Sequence, residues 1–191
     1  MSFAHRQGPA TIAAMDGEKS ARSQALRLAV VDIERHVARA GWDGPVAVFA
    51  LVRTAAAVTA NPELAHELPP EAVELATRDP EHLTSIEQEG LPQAQDLEDL
   101  LAQLAWPEQV DGAALAVERI VVPPQSVQGE PSMAELMAHP QRQDVRIAVG
   151  VLRSGESWCA LRSKEHDHDA DVAGSPDAVP GLVAALQATL T

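Results

Sequence analysis

The first periodic stretch of the chain begins at Gln24. Apolar residues then recur every three or four positions while charged residues fill the other face, a pattern typical of an amphipathic helix. Ser23 is suited to the N-cap, and Gly41 stands where a helix-ending left-handed residue is wanted. The pattern predicts a helix from about residue 24 to residue 40, preceded by a mobile tail over residues 1–22. The apolar positions of this helix are Leu26, Ala29, Val30, Ile33, Val37 and Ala40.

Four later stretches have the length and composition of strands. Residues 45–52 form an almost unbroken apolar run, as expected of a strand covered on both faces. Residues 113–122 and 145–152 are further runs of this kind, separated by a connection of about 20 residues. A turn at Gly155 joins the latter run to residues 157–162, which predicts a hairpin.

Short helical patterns lie between and after the strands. Thr54 is placed to cap residues 55–60, and Pro70 to start residues 71–76. A leucine stripe over residues 97–104 predicts another helix, and Asp177 is placed to cap a closing helix over residues 179–190. This order predicts one α+β domain over residues 23–191. We expect an antiparallel sheet of about four strands backed by the N- and C-terminal helices, with an acidic helical segment between the first and second strands.

The charge narrows the set of partners. The 28 acidic residues outnumber the 14 lysines and arginines, which gives a formal charge of −14. Nucleic acids and anionic membrane surfaces are bound by clustered cations, and the sequence has no such cluster. The apolar runs are too short to span a bilayer, and the first residues lack the apolar core of a secretory signal. With a single cysteine as well, the sequence predicts a cytoplasmic protein.

The negative charge is concentrated in one part of the chain. Residues 54–118 contain 14 acids and one cation, Arg78, whereas the remainder contains 14 acids and 13 cations. A solvated surface that favours solubility explains such a segment without a partner. If there is a partner, we expect it to be a basic protein that docks on residues 54–118. Charge reversals there should then weaken binding more than changes at His166 or His168.

The densest cluster of ligand-type side chains lies over residues 165–171, with the sequence EHDHDAD. Imidazole and carboxylate groups bind divalent metals, so His166, His168, Asp169 and Asp171 are candidate metal ligands. On a continued strand, the two histidines would share one face. Further ligands would have to come from elsewhere in the chain, from histidines such as His36, His66, His82 and His139.

The same cluster has a simpler explanation. The HxHxDH signature of metallo-β-lactamase-like hydrolases would need Asp and His at positions 170 and 171, where this chain has Ala170 and Asp171. Only 20 residues follow Asp171, too few for the downstream ligands of that class. A solvated loop between the hairpin and the last helix, whose acids are screened by water, is the favoured explanation.

Other catalytic signals are weak. Glu87 and Glu89 would share one face of an extended segment, but an exposed edge segment explains them without acid–base chemistry. Cys159 alternates with Leu161 on a strand, as a core residue would. The sequence contains no phosphate-binding glycine loop, no nucleophile elbow, no CxxC and no HExxH. We therefore assign no catalytic residue and no cofactor.

Several stretches resemble a known family in their amino-acid sequence and in their order along the chain. The resemblance is to an uncharacterised family of actinobacterial proteins and covers about residues 25–190. It implies an actinobacterial cytoplasmic origin and a single folded unit, and it implies no activity, cofactor or catalytic residue. The stretches that carry the resemblance are GWDGPVAVFALV (41–52), LTSIEQEGLP (83–92), WPEQVDGAALAVERIVVPP (106–124), RIAVGVLRSGESWCALR (146–162), HDHDADV (166–172) and VPGLVAAL (179–186).

Two hypotheses about function follow from the sequence. The first is a non-enzymatic module that binds another protein, either a basic partner or a second copy as a homodimer. The second is a small metal-binding protein or metal-dependent enzyme centred on His166 and His168.

Overall fold

The chain forms a six-stranded sheet with helices on both faces. The computed structural model describes residues 9–122 and 132–191. The helices in this part are α1 (Pro9–Ala38), α2 (Thr54–Ala60), α3 (Leu64–Glu67), α4 (Pro70–Arg78), α5 (Leu97–Ala102), α6 (Met133–Ala138) and α7 (Pro180–Ala188). The strands are β1 (Ala47–Arg53), β2 (Leu83–Glu87), β3 (Gly112–Val121), β4 (Gln143–Leu152), β5 (Ser157–Ser163) and β6 (Ala173–Ser175).

All neighbouring strands of the sheet run antiparallel, in the order β2-β1-β3-β4-β5-β6. The predicted α+β class and the helices at both ends are thereby confirmed. β2 and β6 form the two edges of the sheet.

Helix α1 covers one face of the sheet. Its residues Leu26, Val30 and Ile33 are fully or almost fully buried against the apolar side chains of the strands. The helix can approach closely because the sheet presents small residues beneath it. At Gly150, an added Cβ would lie 2.5 Å from Cγ2 of Val30 and 3.0 Å from Cδ1 of Leu26.

Helices α5 and α7 cover part of the opposite face. Leu100 and Leu101 of α5 and Leu186 of α7 are buried in a second core with the other set of strand side chains. β1 contributes to both cores, through Phe49 and Leu51 on one face and Val48 on the other. The expectation of a strand covered on both faces is therefore confirmed for the centre of β1.

The sheet has six strands where the sequence predicts about four. β2 lies inside the segment that was expected to be helical, and it pairs with β1 from Glu87 opposite Phe49 to Leu83 opposite Arg53. Its pattern is hard to recognise because only Leu83 is buried in this edge strand. β6 has only three residues, including Gly174, which explains why it shows no strand pattern.

The predicted helix caps are partly wrong. α1 also includes residues 9–22, so Ser23 lies inside the helix rather than at its start. Thr54 is the first residue of α2 and makes no cap hydrogen bond; the N-cap of α7 is Val179 rather than Asp177. Gly41, in contrast, has the expected left-handed conformation with φ of 88°. The division into a tail and a single domain stays a prediction, and residues 1–8 lie outside the described residues.

No helix in residues 9–122 and 132–191 combines the length and the apolar character needed to cross a membrane.

Candidate interaction surface

The loop that carries the candidate metal ligands is not a continuation of β5. The strand ends at Ser163, and short 3-10 turns follow at Lys164–His166 and Asp169–Asp171. The strand alternation that would place His166 and His168 on one face is therefore absent. Both imidazoles are exposed.

Two acids of this loop bind an arginine instead. Arg162 Nη2 donates to Asp169 Oδ1 over 2.7 Å, and Arg162 Nη1 donates to Asp167 Oδ1 over 3.2 Å. The hydrogen bond from Arg162 lowers the pKa of Asp169, and a hydrogen bond from the Trp42 indole, followed by that from Arg162, lowers the pKa of Asp167. These carboxylates hold the loop to the sheet.

Within residues 9–122 and 132–191, no three or more His, Cys, Asp and Glu side chains are grouped so that they could hold a metal ion. The assignment of His166, His168, Asp169 and Asp171 as metal ligands stays a prediction that the geometry does not support.

Arg162 belongs to a larger group of charges beneath the C-terminal half of α1. Glu118, Arg146 and Arg162 lie side by side in register on β3, β4 and β5, and Glu34 of α1 faces them. Arg162 donates two hydrogen bonds to Glu34, from Nε to Oε1 over 2.6 Å and from Nη2 to Oε2 over 2.8 Å. We call Glu34, Glu118, Arg146 and Arg162 the Arg–Glu clamp.

Three of the four residues of the clamp are shielded from solvent. Arg146 Nη2 donates to Glu118 Oε1 over 2.9 Å and to the carbonyl oxygen of Gly41, and its guanidinium carbon lies 4.4 Å from the centre of the Trp42 ring. Glu34, Arg146 and Arg162 are at most 2% exposed. These charges hold α1 to the sheet.

The structure also places the other candidate catalytic residues, Cys159, Glu87 and Glu89. Cys159 is completely buried, and burial raises the pKa of its thiol, which disfavours the reactive thiolate. Glu87 lies on the edge strand β2, where its Oε2 is 3.1 Å from Nε2 of His36, and Glu89 follows the strand in an exposed position. The expectation of an exposed edge segment is confirmed.

A groove lies at the other side of the sheet, on the face that α5 and α7 share. It has a volume of about 610 Å³ and lies between α2, α3 and the residues that precede β3. We call it the β1–β2 groove. Ile86, 48% exposed, is among its most exposed apolar residues. The apolar side chains that line it include Val52, Ala57, Leu64, Leu68, Ile86 and Val110.

Hydrogen bonds fix both walls of the groove. The hydroxyl of the buried Thr54, at the start of α2, lies 2.9 Å from Nδ1 of His82 and 2.7 Å from Oγ1 of Thr84. On the other wall, Asp111 accepts from the backbone N–H of Arg53 over 2.7 Å and from its Nε over 2.8 Å. The hydrogen bond to Asp111 raises the pKa of Arg53. These hydrogen bonds hold the end of β1 and the start of α2 against β2 and against the residues before β3, so the backbone around the groove is fixed.

Three acids at or beside the groove, which we call its acidic rim, have no ion pair with a cation among the described residues. Glu108 lines the groove, Glu63 and Glu67 lie one and three residues along the chain from its lining residue Leu64, and all three are exposed. No ion pair involves them in this part of the chain, whereas Asp111 is paired with Arg53. An exposed apolar surface with a rim of uncompensated charge can bind a partner of opposite charge.

Sequence patterns did not reveal this groove. Its lining comes from β1, α2, α3, β2 and the residues before β3, and the apolar members are single residues scattered over sixty positions of the chain. The concentration of acids over residues 54–118 was the one signal that indicated the region, because it does not depend on how the elements pack.

Comparisons with known proteins show the family of the chain and no activity. A family model described as PPA1309-like protein matches residues 26–191. The match confirms the resemblance expected over about residues 25–190, and the description assigns no activity. No curated protein and no solved structure gives a significant match to the chain.

Proposed function

The chain belongs to the PPA1309-like protein family, and we propose that it is a non-enzymatic interaction module that binds a basic segment of another protein in the β1–β2 groove. The segment would place apolar side chains in the groove and lysines or arginines against its acidic rim.

One observation carries this proposal, namely that a largely apolar groove lies beside exposed acids that pair with no cation among the described residues. Apolar burial would contribute most of the affinity, at about 25 cal/mol for each Å² removed from water. The rim acids would select a basic partner and speed its association. Lysine and arginine suit this arrangement because their long apolar stems can lie in the groove while their charges reach the rim.

A selection from random peptides about twelve residues long, displayed on phage, tests the proposal against the full chain. We expect the enriched peptides to combine basic and apolar residues. Binding of synthetic copies should weaken by about tenfold when the salt concentration is raised from about 50 to about 500 mM, because salt screens the rim charges.

A matched pair of variants locates the binding surface. The double charge reversal Glu63→Lys with Glu108→Lys should weaken binding by about tenfold, because two attractions become repulsions. The control is Glu165→Lys with Asp171→Lys, which changes the net charge equally in an exposed loop away from the groove. The histidine variants His166→Ala and His168→Ala are expected to leave affinity unchanged.

Two results would overturn the proposed function. One is a selection that enriches no basic and apolar peptides. The other is binding that weakens equally in the groove variant and in the loop variant, because the peptides would then respond to net charge and not to this surface.

A further inference from the structure

β2 leaves one edge of the sheet without a neighbouring strand in the described part of the chain. Edge strands expose backbone N–H and C=O groups, and proteins protect them with charge, bulges or covering elements. β2 is exposed over Ser85, Ile86 and Glu87. An exposed isoleucine beside a free edge is an unusual feature, since it favours pairing with another strand.

The hydrogen bonds to β1 show which backbone groups of β2 face outward. The N–H of Gln88 donates to the carbonyl of Val48, and the N–H of Thr54 donates to the carbonyl of His82. In an antiparallel pair, alternate residues face the neighbouring strand, so the even-numbered residues of β2 bond to β1. The N–H and C=O groups of Leu83, Ser85 and Glu87 therefore face the open edge.

The side chains of β2 also alternate, between the face of the groove and the face covered by α1. Thr84 and Ile86 line the β1–β2 groove, whereas Leu83 packs in the core beneath α1. A strand added to this edge would thus present every second side chain to the groove and the others to the face of Ser85 and Glu87.

We propose that the partner segment binds as an additional strand on the open edge of β2, with alternate apolar side chains in the β1–β2 groove and basic residues at its ends. This inference rests on the proposed function and specifies its binding mode. The backbone of β2 supplies the hydrogen bonds, and the groove supplies the side-chain pocket, which is a known mode of peptide recognition.

Charge decides between a foreign strand and a second copy of the chain. β2 lies in the segment that carries a balance of −13 from 14 acids and one cation over residues 54–118. Glu81 before the strand is paired with Arg53 over 3.9 Å, whereas Glu87 and Glu89 end or follow the strand and are exposed. Two such segments would repel each other, whereas a basic segment is attracted to the exposed acids at the Glu87 end of β2.

A designed peptide tests the binding mode directly. The probe is Lys-Arg-Val-Thr-Val-Thr-Val-Arg-Lys, in which the valines share one face and the threonines the other. Two isomers carry N-methyl groups on both threonines or on the two outer valines. Each isomer loses two N–H donors, all on one edge of the strand, and the two isomers have the same charge, composition and side chains.

Strand addition predicts different affinities for the two isomers in titration calorimetry with the full chain. The isomer methylated on the edge that faces β2 should bind about tenfold more weakly than the parent, because two hydrogen bonds are lost. The other isomer should bind as the parent does. With the valines in the groove, antiparallel addition directs the threonine amides at β2 and parallel addition directs the valine amides there, so the weaker isomer also identifies the strand direction.

A variant of the edge provides the reciprocal test. Ser85→Pro removes an outward N–H that β1 does not use, and proline is tolerated at such edge positions. We expect it to weaken binding of the parent peptide by about tenfold. The control Ser85→Ala keeps the N–H and should bind as the natural chain does. Thermal melts within about 5 °C of one another would show that both variants fold.

The outcomes separate this inference from the proposed function. Equal binding by both isomers, together with unchanged binding to Ser85→Pro, would overturn strand addition and leave the groove as the binding surface. Failure of the parent peptide to bind would also overturn strand addition. Failure of the random-peptide selection would overturn the proposed function itself.

Discussion

The two sides of the sheet use acidic residues in opposite ways. At the Arg–Glu clamp, Glu34 is completely buried and held by two hydrogen bonds from Arg162. At the β1–β2 groove, Glu63 and Glu108 are exposed and no cation among the described residues pairs with them. The clamp joins three strands and a helix, while the groove leaves apolar surface and one sheet edge open.

This difference shows that the effect of a carboxylate depends on its surroundings. A buried charge is tolerated only where its partner and its hydrogen bonds are supplied, and loss of one partner is costly. An exposed charge costs little and contributes little to stability, so it is free to serve in recognition. We therefore expect variants of the clamp to change folding and variants of the groove to change binding.

The largest effect on stability is expected from Glu34→Ala. It removes the partner of two buried arginines, and breaking a buried pair in this way costs about 3–5 kcal/mol. The groove control Glu63→Ala should change the free energy of unfolding by less than about 0.5 kcal/mol, because its side chain is exposed. Urea unfolding of both variants measures the contrast. A similar loss of unfolding free energy in Glu34→Ala and Glu63→Ala would contradict the distinction between the buried clamp and the exposed groove.

A smaller effect is expected from Gly150→Ala, where α1 packs on the sheet. The added methyl group would press on Val30 and Leu26, and overpacking of a core typically costs about 1–3 kcal/mol. Gly181 in α7 is the control, since a Cβ there meets nothing within 4 Å. Gly181→Ala should leave stability equal or raise it by up to about 1 kcal/mol. Thermal melts test this pair, and an unchanged melt for Gly150→Ala would contradict the close approach of α1.

The smallest effect concerns the loop acids that attach to the clamp. The pKa of Asp169 is lowered in the folded state, so its contribution to stability is complete above the unfolded pKa of about 3.9 and is lost as the pH falls through the lower folded value. Asp169→Asn should therefore reduce the urea midpoint at neutral pH. The difference from the natural chain should shrink as the pH falls below about 4. A difference that stays constant with pH would show that Arg162 does not favour the ionised carboxylate.

The comparison also explains which parts of the fold were predictable. The apolar stripe of α1, the long strands β3 and β4 and the turn at Gly155 have patterns that arise from burial along one element, and the structure confirms them. β2 and β6 were not predicted because an edge strand needs little burial and therefore little apolar alternation. The caps at Thr54 and Asp177 were wrong because each side chain has another hydrogen-bond partner, Thr84 for Thr54 and Ser175 for Asp177.

The sequence by itself determined the α+β class, the positions of the strongest helix and strands, and the concentration of negative charge over residues 54–118. These properties are local, since they follow from periodicity and composition. Only the tertiary structure decided that Asp167 and Asp169 bind Arg162, and that Ile86, Leu64 and Val110 line one groove beside an open edge. Such contacts join residues far apart in the chain, and their partners become known only when the strands have taken their order in the sheet.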